Sequence, residues 1–195
     1  MDTTIEYYNN NAEAFIENTR NVDFQIMQDK FLENLPSGAI ILDFGCGSGR
    51  DTKYFLNRGY TVYAIDGSKR LCELASEYTG IAVKCMLFNQ LSDVQKYDGI
   101  WACSSLLHVP SEKLKEILVK IKNALKLDGI AYLSFKHGDF EGIRNGRFFT
   151  DMTAHAFTDI IEKVNGLYIE NQEITEDVRQ DRSEKWLNII LRKKD

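Results

Sequence analysis

Residues 40–51 read IILDFGCGSGRD. A short apolar run that ends at Phe44 is followed by three glycines, Gly45, Gly47 and Gly49. Such a run is what a strand covered on both faces shows. Glycines directly after it serve one of two ends. Either the chain turns tightly, or a ligand lies closer to the backbone than a side chain would permit. The next apolar run, YTVYAID (60–66), closes on Asp66. A carboxylate there is placed to accept hydrogen bonds from the hydroxyls of a ribose. Its alternative role is to cap the helix that begins near Arg70.

Outward from this stretch, strands and helices alternate. Strands are expected at 39–44, 60–66, 81–87, 98–104 and 130–136, and helices at 51–58, 71–79, 111–126 and 153–164. Leu114, Ile117, Leu118, Ile121 and Leu125 form the clearest helical stripe. Residues 167–176 and 184–193 alternate in polarity and can pair as a hairpin. The expectation is an α/β fold: a Rossmann-like, doubly wound, seven-stranded mixed sheet with a C-terminal antiparallel β-hairpin and helices on both faces. Residues 4–18 and 23–35 read as helices, the second stopped by Pro36, Ser37 and Gly38. A length of 195 residues suits one domain, 1–195, with 1–35 as an N-terminal helical segment.

Hydrophobic residues make up 44% and charged residues 27%, a globular balance. The net charge of −5 argues against nucleic acid as a partner. No apolar run approaches the ~20 residues that cross a bilayer. Cys46, Cys72, Cys85 and Cys103 form no metal-ligand spacing and read as reduced thiols. A cytoplasmic protein, monomeric or weakly dimeric, with no metal and no membrane partner, is expected.

A dinucleotide site carries a glycine at the sixth place of its loop motif; here that place is Arg50. Asp43, just before the loop, would repel a pyrophosphate but suits an ammonium. S-adenosylmethionine offers an ammonium, a sulfonium and a ribose, and no phosphate. The stretch ILDFGCGSGRDTKYFLNRGYTVYAIDGS (41–68) resembles the first two motifs of class I S-adenosylmethionine-dependent methyltransferases. YDGIWACSSLLHVP (97–110) resembles the family's fourth-strand motif and LKLDGIAYLSF (125–135) its fifth-strand region. Within the family the chain looks most like small bacterial tellurite-resistance methyltransferases.

The resemblance implies that Asp43, Phe44, Gly45, Cys46 and Gly47 line the methionine end of the cofactor. Arg50 would meet its carboxylate and Asp66 its ribose. Gly67 and Ser68 would flank the adenosine, and Leu87 and Phe88 the adenine. No acid stands near Leu87, and Asn89 is the available substitute. Ala102 and Cys103 would turn carbonyls toward the methionine amine. Tyr8 resembles a tyrosine folded over the methionine moiety; ordinary core packing is its alternative. The product would be S-adenosylhomocysteine.

His108, after the fourth strand, is the candidate catalytic base or substrate contact, with a structural loop role as the alternative. Residues 137–151 read as a long polar, glycine-rich loop that follows the fifth strand. Within it, Arg144, Arg147 and Phe148 are candidate substrate residues. Trp186, beyond the polar turn that carries Arg179 and Arg182, is another. Together they suit a small-molecule acceptor with anionic character. Two other readings stay open: an NAD-type Rossmann oxidoreductase and a non-catalytic S-adenosylmethionine-binding protein.

Overall fold

The computed structural model describes residues 3–179 and 181–194; Met1, Asp2, Gln180 and Asp195 lie outside it. Seven strands form one sheet in the order β3-β2-β1-β4-β5-β9-β8. They are β1 (Ile40–Phe44), β2 (Thr61–Asp66), β3 (Val83–Cys85), β4 (Tyr97–Ala102), β5 (Leu125–Lys136), β8 (Leu167–Glu176) and β9 (Lys185–Lys193). The first five run parallel; β9 is antiparallel to both β5 and β8. This is the expected mixed sheet with its closing hairpin. The chain leaves β1 toward β2 on one side and returns to β4 on the other. The crevice at the carboxyl ends of β1 and β4 is therefore the topological switch point, where open α/β sheets bind ligands.

Side-chain alternation along the strands builds two cores. Leu42, Phe44, Ile65, Ile100 and Leu133 face one side, under α6 (Ser111–Ala124) and α7 (Ala154–Ile161). Ile41, Val62, Trp101, Ile130 and Tyr132 face the other, under α3 (Gln25–Leu32) and α4 (Arg50–Asn57). Ala64 packs on that second side against Ala75 of α5 (Lys69–Thr79). Trp101 is buried there, stacked on Tyr132 with ring centroids 4.0 Å apart.

Three local expectations are corrected. The helix over 4–18 is two helices, α1 (Thr3–Asn10) and α2 (Ala12–Thr19). They part at Asn11, the end of a three-asparagine run whose amide competes for the backbone; Asn11 Nδ2 donates to the Tyr7 carbonyl at 2.8 Å. The helix over 111–126 stops at Ala124, because Leu125 pairs with Tyr97 as the first residue of β5. Residues 137–151 are not an open loop. They contain the hairpin β6 (Glu141–Arg144) and β7 (Arg147–Thr150). Its two turn residues, Asn145 and Gly146, have φ of 51° and 77°, the geometry that favours an Asn-Gly hairpin turn.

Candidate active site

The chain leaves β1 through Gly45, Gly47 and Gly49, with φ of 94°, 53° and 77°. A Cβ on Gly45 would lie 2.5 Å from Ser105 Cβ, and one on Gly49 would lie 2.8 Å from Thr79 Cγ2. The tight turn and its packing thus require glycine whether or not a ligand is near. The loop's N–H groups are used internally. Gly45 and Cys46 donate to the Ile65 carbonyl, and Gly47 N donates to Asp66 Oδ2 at 2.9 Å. Asp66 Oδ1 accepts from Ser68 N at 2.8 Å. Asp66 does not cap α5. Ser68 does, its hydroxyl accepting from Leu71 N. The Asp66 carboxylate instead ties the glycine loop to the turn after β2.

A pair of carboxyls, Asp43 and Asp51, lies beneath the loop. Asp43 accepts from the Thr52 hydroxyl at 2.5 Å. Asp51 accepts from Gln28 Nε2 (2.6 Å), Trp101 Nε1 (2.8 Å), Arg50 Nε (2.7 Å) and Arg50 Nη2 (3.0 Å). Burial, and then the Asp51 charge, push the Asp43 carboxyl up to about 8. Burial opposes ionisation of Asp51 too, but the Arg50 guanidinium and the other donors outweigh it and hold the group below its ordinary value. Burial raises Asp66 against the pull of the Ser68 and Gly47 N–H groups. Arg50 lies against Asp51, and Asp43 holds its proton below about pH 8; Asp66 faces the cleft with backbone N–H groups as its partners.

The sign of the Asp43 shift sets a stability profile. Its folded value lies above its unfolded one, so its stabilising contribution is complete near pH 4. It is lost as pH rises to about 8. Asp43→Asn, which stays neutral, should gain on the native chain by roughly 4 kcal/mol between pH 5 and pH 8.5 in urea unfolding. Equal stabilities at both pH values would contradict the account.

Above these groups the cleft has two joined lobes. The larger, about 340 Å³, lies over the ends of β1 and β2 and is lined by Asp66, Gly67, Met86, Leu87, Phe88 and Asn89, with Ile5 of α1 across it. The smaller, about 210 Å³, is lined by Arg50, Cys103, Lys136, Arg147, Phe149 and Trp186. Tyr8, Phe15, Gly45, Gly47, Ser104 and His108 line both lobes and mark their junction.

At that junction His108 Nδ1 lies 2.6 Å from the Phe148 carbonyl, and Nε2 lies 2.8 Å from the Tyr8 hydroxyl. A carbonyl only accepts, so Nδ1 carries the proton; in the neutral ring Nε2 then accepts from Tyr8. Arg147 Nη1 donates to the same hydroxyl at 3.2 Å. Burial raises the Tyr8 phenol, against the pull of Arg147.

The cleft thus brings together Tyr8, Gly45, Cys46, Gly47, Arg50, Asp66, Gly67, Leu87, Phe88, Cys103, His108, Arg147 and Trp186. The remaining sequence candidates line neither lobe. Asp43 and Ala102 are buried behind the wall. Phe44 packs its ring 4.8 Å from Phe88, and Ser68 is occupied as a helix cap. Arg144 turns to Asp151 at 2.7 Å, and Phe148 contributes backbone only, its carbonyl to His108 and its N–H to Thr4 Oγ1. Burial pushes the Cys103 thiol up to about 12, which removes it as a thiolate near neutral pH.

Ser104 and Ser105 were missed by sequence reasoning. Ser105 donates to the Phe44 carbonyl at 2.7 Å and clamps the loop after β4 onto β1. Ser104 holds φ of 51°, a strained backbone for a residue with a side chain, with its N–H on Ser134 Oγ. No local signal marks either. Among the described residues, no group of three or more His, Cys, Asp or Glu could hold a metal ion, and no helix is long and apolar enough to cross a membrane.

Residues 41–129 match a family model described as a methyltransferase domain. An uncharacterized methyltransferase of Geobacillus thermodenitrificans (strain NG80-2) is 29% identical over 126 residues, 53% of this chain and 58% of that protein. The match therefore spans little more than half of that relative's length. Among solved structures, 1,6-didemethyltoxoflavin-N1-methyltransferase of Burkholderia thailandensis, with bound 1,6-didemethyltoxoflavin and S-adenosylhomocysteine, superposes with a TM-score of 0.80. It is 20% identical and covers 98% of this chain and 87% of its own. The cyclase SpnF superposes with a TM-score of 0.70 at 16% identity, over 87% of this chain and 80% of its own. At such identities the likeness is one of fold, and fold alone does not set the reaction. Residues 41–129, just under half of the chain, are thus similar to a methyltransferase domain, and the fold around them is Rossmann-like.

Proposed function

We propose that the protein transfers the methyl group of S-adenosylmethionine to a small-molecule acceptor held in the smaller lobe. The observation that carries this is the two-lobed cleft at the switch point, with buried carboxyls concentrated under its junction. A cationic, phosphate-free nucleoside fits that charge pattern. Asp66 faces the larger lobe, where a ribose needs an acceptor, and Leu87 and Phe88 give that lobe an apolar end for a base. Arg50, Cys46 and Cys103 lie toward the other lobe, where a methionine moiety belongs. The bound S-adenosylhomocysteine of the Burkholderia enzyme supports the same choice of cofactor. An NAD-type site is disfavoured by Arg50 at the sixth loop position and by the carboxyls beneath it.

The cofactor supplies a methyl carbon made electrophilic by a sulfonium. The chain supplies alignment, which dominates such displacements. In this reading Asp43, Phe44, Ser68 and Ala102 act from behind the wall by shaping the loop. The helices within residues 3–35 cover the cofactor, with Tyr8 and Phe15 at the lobe junction. His108 Nε2, reached through the Tyr8 hydroxyl, receives the proton of an acceptor that must lose one. The acceptor is small and carries anionic character; the thiols and the acidic surface suit a cytoplasmic protein that does not bind nucleic acid.

The test is turnover. The protein should form S-adenosylhomocysteine from S-adenosylmethionine faster when a dialysable small-molecule extract is added. DNA, RNA or protein fractions should give no stimulation. Formation no faster than with Asp66→Ala in every fraction would leave a binding protein without catalysis.

A further inference from the structure

We propose that Arg147 is the anion anchor of the smaller lobe and that the acceptor is a small planar acid of the aromatic carboxylate class. The acceptor's role rests on the methyltransferase reading above; the anion site does not.

Arg147 opens β7, just after the hairpin turn, and its guanidinium carbon lies 4.7 Å from the Tyr7 ring centroid, 5.6 Å from Tyr8 and 5.1 Å from Phe149. Its Nη1 reaches the Tyr8 hydroxyl, a neutral group. Its Nε is shut off from solvent and has no hydrogen-bond partner. Among the described residues, no carboxylate is paired with it. The contrast with its neighbours is informative. Arg50 is paired with Asp51, Arg179 with Asp177 and Lys136 with Glu184, each at 2.7 Å, and Arg144 of the same hairpin is paired with Asp151.

Ring faces attract a guanidinium but replace only part of its lost hydration. A cation held this way keeps an unneutralised charge at the wall of the lobe, and that charge, rather than the buried Nε, is what an anion would meet. Arginine presents a planar fork that matches a carboxylate. Phe149 and Trp186 line the same lobe and offer flat apolar faces to the body of such a ligand. Tyr8 couples the anchor to His108, so an acid held at Arg147 would lie beside the group assigned to take a proton.

The test uses benzoate and its neutral analogue benzamide as probes, titrated by calorimetry into the full chain with and without saturating S-adenosylhomocysteine. Benzoate should bind at least tenfold more tightly than benzamide in both series. Arg147→Gln should erase the preference, and Arg147→Lys should restore part of it. The melting temperature of ligand-free Arg147→Gln should equal or exceed that of the native chain. Equal binding of the two probes, no binding of benzoate, a preference that survives in Arg147→Gln, or a clear fall in its melting temperature would each overturn the proposal. If S-adenosylhomocysteine fails to bind while the benzoate preference persists, the anion site stands and the methyltransferase reading falls.

Discussion

Asp51→Ala is expected to destabilise the fold by about 3–5 kcal/mol, the cost of breaking a buried ion pair by removing one partner. Asp51 is 8% exposed and accepts four hydrogen bonds. Its loss would strand the Arg50 guanidinium, the Gln28 amide and the Trp101 indole N–H together. Those donors come from α3, α4 and β4, so the carboxylate links one helical layer to the sheet. Urea unfolding at pH 7 reads the effect directly. Asp51→Asn, which keeps an acceptor but loses the charge, should fall between the two. A loss below about 1 kcal/mol for the alanine variant would mean that the network contributes little beyond its desolvation cost.

Asp66→Ala should have the largest effect on ligand binding. Its carboxylate both faces the larger lobe and holds Gly47 N and Ser68 N in place. The substitution removes a charged acceptor and frees two backbone donors that fix the loop. A charge-assisted pair of contacts to a diol, together with loss of that preorganisation, amounts to about 3 kcal/mol or more, a hundredfold or greater fall in affinity. Stability should change less than in Asp51→Ala, because only two donors lose a partner and one of them, the Gly47 N–H, borders the cleft and can meet water.

The doubly wound sheet was legible because its signals are local and repeated. IILDF, TVYAID and the stripe from Leu114 to Ile121 each carry their own periodicity, and their alternation leaves few topologies. The order of Gly45, Gly47 and Asp66 was legible for the same reason. The hairpin over 141–150 falls in a stretch that reads as a long polar, glycine-rich loop, although Asn145-Gly146 is a strong turn signal. Arg144 and Arg147 could not be told apart in sequence. They oppose each other across a tight turn and share a face of the hairpin, and only packing against distant segments sends one to Asp151 and the other to the Tyr7 and Tyr8 rings. Ser104, Ser105 and the Tyr8–His108 contact depend on segments distant in the chain, which periodicity does not register.

The most direct measurement is calorimetric titration of the folded native chain with S-adenosylhomocysteine, with Asp66→Ala alongside and both samples checked by circular dichroism. The account predicts micromolar binding to the native chain and at least a hundredfold loss in the variant. Absence of binding to a folded native sample, or equal binding by the variant, would contradict it.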